Sequence, residues 1–90
     1  MFTAKDIKLI DTDYFSIIDQ NESTITLLSN NSGLYWNILS KGADNIENII
    51  IYRMPYFGSG SHLHGYAINL EQAFVFIHNY DQFQLQKTTN

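Results

Sequence analysis

The chain has 90 residues, 44% of them hydrophobic, which is enough for one domain built on one core. It holds no cysteine, which excludes disulfides and thiolate metal sites, and no run of about 18 apolar residues that would span a membrane. The net charge of −4 includes only five basic residues, scattered along the sequence, so the clustered Lys and Arg that grip a phosphate backbone are missing and nucleic-acid binding is disfavoured.

At the N-terminus, Thr3 and Asp6 stand at capping-box spacing and predict one helical turn, followed by an extended Ile7, Leu9 and Ile10. Asp11-Thr12-Asp13 breaks the chain. Residues 14–19 then read as a strand with Phe15 and Ile17 turned to the core, and a polar turn over 19–22 leads into the strongest structural signal of the sequence. In the stretch 23–40, Thr24 and Thr26 alternate with Ile25 and Leu27, while Leu34, Trp36 and Ile38 share one parity opposite Tyr35 and Asn37. Asn30-Asn31-Ser32-Gly33 separates the two runs. Asn tolerates left-handed dihedrals and Gly33 accepts a positive φ, so the pattern predicts a hairpin, with a type I turn closed by Gly33 at a bulge position.

A further turn is expected over 41–45, then a strand over 49–54, I-I-I-Y-R-M. If Arg53 points to solvent, Ile50, Tyr52 and Met54 point inward, and Ile49 and Ile51 fall on an outer face with Leu28, Tyr35 and Leu39. Pro55 ends the strand and opens a connection rich in Gly and Ser. Asn69 is a good N-cap for one substantial helix over 70–83, with Gln72 at capping-box spacing. Its Leu70, Ala73, Phe74 and Ile77 make a core stripe, and Phe76, Tyr80 and Phe83 make a second apolar stripe at i, i+4 and i+7. Residues 83–90 read as a frayed polar tail.

Together these elements predict a single small α+β domain over 1–90: an antiparallel β-meander of about four strands with one C-terminal helix packed on the sheet. With no signal-peptide pattern at the start, the expected location is cytoplasmic. The abundance of Ile and Asn points to an AT-rich genome, as in a low-GC bacterium.

Catalytic motifs are scarce. His62 and His64 sit two apart, so on an extended segment both imidazoles face one way, but a zinc site needs a third ligand, which His78, Glu71 or Asp81 would have to bring from the helix. Loop histidines without a metal are the simpler reading, and no metal or cofactor is expected. Gly58, Gly60 and Gly65 match neither the dinucleotide fingerprint nor a Walker A loop, and Gly58-Ser59-Gly60 lacks the G-x-S-x-G spacing of a nucleophile elbow.

What stands out is surplus apolar surface. Tyr35, Leu39, Ile49 and Ile51 on the second sheet face, with Phe76, Tyr80 and Phe83 on the helix, exceed what one small core holds. They are the candidate partner-binding residues. The leading expectation is a non-catalytic protein-interaction module, forming a homodimer or binding a protein partner. A metal-dependent or hydrolytic enzyme centred on residues 55–69 is the alternative, and a small-molecule binder a weaker one.

Overall fold

The computed structural model describes residues 2–41, 48–56 and 59–88. Five antiparallel strands follow one another in chain order across one sheet: β1 (Phe15–Gln20), β2 (Thr24–Ser29), β3 (Tyr35–Ser40), β4 (Ile49–Met54) and β5 (His62–Ala67). A short helix α1 (Ala4–Lys8) precedes the sheet, and a long helix α2 (Leu70–Thr88) follows it. The meander and its C-terminal helix are as the sequence predicts, with one strand more. That strand is β5, which lies within the connection after Pro55.

Each element has a local cause. At α1 the Thr3 hydroxyl accepts from the Asp6 backbone N–H while the Asp6 carboxylate accepts from the Thr3 backbone N–H, a complete capping box. Ile7 and Leu9 therefore belong to the helical turn and its C-cap, not to an extended run. In the central hairpin Gly33 has φ +77 and donates its N–H to the Ser29 carbonyl at 2.8 Å, which closes the loop over 30–33. Asn69 caps α2 by accepting from the Gln72 N–H at 2.8 Å, and the Gln72 side chain accepts from the Ile68 N–H at 2.9 Å. Gln84 reaches back to the Tyr80 hydroxyl at 3.0 Å, and the helix continues to Thr88 where a frayed tail was expected. The turn expected over 41–45 lies largely outside the described residues, as does Gly58.

The core lies between one sheet face and α2. Phe15, Ile25, Leu27, Trp36, Ile38, Ile49, Ile51 and Ala67 from the strands meet Leu70, Ala73 and Ile77 from the helix, and Phe2 and Ile10 extend the cluster. The Trp36 indole N–H is satisfied inside it, donating to Ser29 Oγ at 3.0 Å. Ile49 and Ile51 thus correct the expected face: they are 4% and 0% exposed, on the helix side. The parity grouping with Arg53 holds, but Arg53 is no guide to solvent, because its guanidinium lies 4.7 Å over the Tyr80 ring beneath the helix. Ile17 departs in the other direction. It shares the parity of Phe15 but is 37% exposed, on an end strand.

Candidate functional site

Two surfaces carry the remaining apolar side chains. The first is the sheet face away from the helix. Strand register lines its side chains up in rows: Thr24, Leu39, Ile50 and Tyr66; Thr26, Asn37, Tyr52 and Leu63; Leu28, Tyr35 and Met54. Polar contacts cross it, with the Thr26 hydroxyl 2.7 Å from Asn37 Oδ1 and Asn37 Nδ2 3.7 Å from Met54 Sδ. Mutual shielding leaves Leu28, Tyr35 and Leu39 only half-buried, and Met54 buried.

The second surface is the flank where β5 meets α2. His64, Gly65 and Tyr66 of the strand and Phe76, Asn79 and Tyr80 of the helix line an open groove of about 440 Å³. Phe83 continues this stripe, its ring centroid 6.5 Å from that of Tyr80. Exposure concentrates here. Of ten large hydrophobic residues that are exposed among those described, Leu63, Tyr66, Ile68, Val75, Phe76 and Phe83 belong to β5, α2 or the link between them. Leu63 is 53% exposed and Phe83 is 58% exposed.

The three histidines sit in different surroundings. The His64 ring packs edge-on against Trp36 and Tyr80, each at 5.0 Å between centroids. Burial pushes its ionisation below the usual histidine range and the nearby Arg53 charge adds to this, while Asp81 pulls the other way. His62 is exposed and pairs across the sheet with Arg53. His78 stacks on Tyr14 at 3.9 Å. Among the described residues no group of three or more His, Cys, Asp or Glu is placed to hold a metal ion. Of the helical third ligands considered, Asp81 is already engaged: Tyr14 Oη donates to one carboxylate oxygen at 2.7 Å and Ser32 Oγ to the other at 2.8 Å.

Sequence reasoning weighed Asp81 only as a metal ligand and missed that it is fully buried, held by Tyr14 and Ser32. Its signal was positional, four residues after Ile77 and on the same core stripe, but a carboxylate there reads as polar surface unless its donors are known. A smaller cavity of about 130 Å³, lined by Phe2, Asn48, Ile49 and Leu70 among others, lies between the N-terminal segment and the start of α2. No helix among the described residues is long and apolar enough to cross a membrane.

Compared with protein-family models, with curated proteins and with solved structures, the chain matches none of them. Its function is therefore argued from its own surface.

Proposed function

We propose that the chain is a small protein-interaction module that acts without catalysis and self-associates through the β5–α2 flank. One observation carries the reading: Tyr66 and Phe76 stand exposed on an aromatic-walled groove, and the exposed Phe83 extends it past Tyr80. An exposed apolar patch with polar residues at its rim is the ordinary mark of an interaction surface. Burying a large apolar side chain contributes roughly 1.5–3 kcal/mol, so several of them left in water forgo a stabilisation that a contact would recover. Phe76, Tyr80 and Phe83 are the contact residues on the helix. Tyr35 and Leu39, on the shielded sheet face, contribute less.

The test is the solution mass of Phe76→Glu beside that of Tyr35→Glu. The first should break the association and the second should weaken it little. Association lost only in Tyr35→Glu would move the interface to the open sheet face.

A further inference from the structure

We propose that β5 pairs with the β5 of a second copy of this chain, antiparallel across a two-fold axis, so that two five-stranded sheets join into one sheet of ten strands. The inference rests on the flank being the association surface, and adds to it the partner and the manner of pairing.

β5 is an end strand of the sheet: β4 pairs with one of its edges, and no strand among the described residues lies along the other. Every second residue of such a strand turns an N–H and a C=O outward, an open template for another strand. Paired along its six residues, it would gain about six backbone hydrogen bonds.

The two ends of the sheet differ in how they resist this. β1 carries Asp19 and shifts register between Ile17 and Asp19, and a charge and a bulge both discourage a further strand. β5 also has a bulge, opposite Ile51 and Tyr52, but from His62 to Ala67 it carries no Asp, Glu, Lys or Arg. An uncharged strand meets its own copy without like-charge repulsion, although the whole chain carries −4. At Gly65 the space where a Cβ would sit is open, with nothing within 4 Å.

The side chains flanking this edge are also self-complementary. Leu63 and Tyr66 share the parity of Tyr52 and Ile50 on the open face, and Phe76 and Phe83 stand on the helix side. A two-fold axis sets each of these groups toward the same apolar groups of the other copy, so one patch covers itself.

The absence of native cysteine makes the test direct. In a two-fold antiparallel pair one residue faces its own copy at a Cα separation of about 4.5–5.5 Å, within reach of a disulfide. Single cysteines are placed in turn at positions 62 to 66 of the full chain, with Ile17→Cys on β1 as control, and each variant is oxidised and run without reductant. Covalent dimer should peak at one β5 position, fall at its neighbours and stay at background for Ile17→Cys. A flat profile along β5, or one no higher than the control, overturns the pairing.

Leu63→Lys provides a second readout that does not depend on oxidation. Leu63 is exposed, so the melting temperature of the monomer should hold while two lysines brought together across the axis weaken dimerisation by about tenfold or more. A dimer unaffected by Leu63→Lys counts against the pairing. Should the protein associate and Phe76→Glu abolish it while the β5 cysteines stay unlinked, the flank would stand as the interface and the strand pairing would be wrong. A monomer at every concentration would overturn both.

Discussion

Tyr14 donates its phenolic hydrogen to Asp81 at 2.7 Å, across 67 positions of sequence. With Ser32 donating to the other carboxylate oxygen, the contact ties the second half of α2 to the start of β1 and to the loop of the central hairpin. Asp81 is fully buried, so its two carboxyl oxygens rely on these donors for hydrogen bonds. Tyr14→Phe should cost about 1–3 kcal/mol in urea unfolding at neutral pH, the range for leaving a buried polar group short of a partner. An unchanged midpoint would show the bond to be dispensable.

The same contact has an alkaline signature. Burial, the hydrogen bond to Asp81 and the charge of Asp81, in that order, push the Tyr14 ionisation above its ordinary value of 10.0. A folded-state value raised in this way favours the fold fully below pH 10, and the contribution is lost as pH rises above it. The wild type should therefore lose stability above pH 10 more steeply than Tyr14→Phe. Parallel curves would contradict the assignment.

His64 acts at the other end of the pH scale. Its ionisation is lowered, chiefly by burial and then by Arg53, so its contribution is complete above the ordinary histidine value of 6.5 and is lost as pH falls below it. Denaturant midpoints should drop between neutral and mildly acid pH, and His64→Gln should flatten that drop. A steeper drop in the variant would be the wrong sign.

Gly33 isolates the backbone term. With φ +77 and nothing within 4 Å of the place a Cβ would occupy, a side chain there meets strain but no clash. Gly33→Val should cost about 1–2 kcal/mol, and Gly33→Asn less, because Asn visits this conformation more readily. In a domain of this size each kcal/mol moves the melting temperature by about 4–8 °C. Equal melting temperatures for all three proteins would argue against the hairpin register.

Ile51 separates core from interface. At 0% exposure it should behave as a packing residue, with Ile51→Ala costing about 2–5 kcal/mol in urea unfolding. A variant of native stability that only lost association would return Ile51 to the surface.

The sequence was most legible where one face is buried and the other is not. The alternation across Gly33, the cap at Asn69 and the stripe Leu70, Ala73 and Ile77 all carry a period that local physics enforces, and the structure follows each of them. β5 was hidden because only Ala67 of its residues is buried, so an end strand of His, Gly and Tyr shows no apolar alternation. Ile49 and Ile51 were placed on the wrong face because β4 is apolar on both sides and Arg53 was taken to mark solvent, whereas its guanidinium lies on an aromatic ring. Asp81 was opaque for a tertiary reason, since both its donors come from distant loops. The helix stripe of Phe76 and Tyr80 was visible as spacing, but only the fold brings it beside Tyr66 to line a groove.

The central claim is self-association through the β5–α2 flank, and the most direct measurement is mass by light scattering across a wide dilution series of the full chain. The expected result is twice the chain mass of 10.4 kDa at high concentration, falling to one chain on dilution and staying there throughout for Phe76→Glu. A mass of 10.4 kDa at every concentration of the wild type would contradict it.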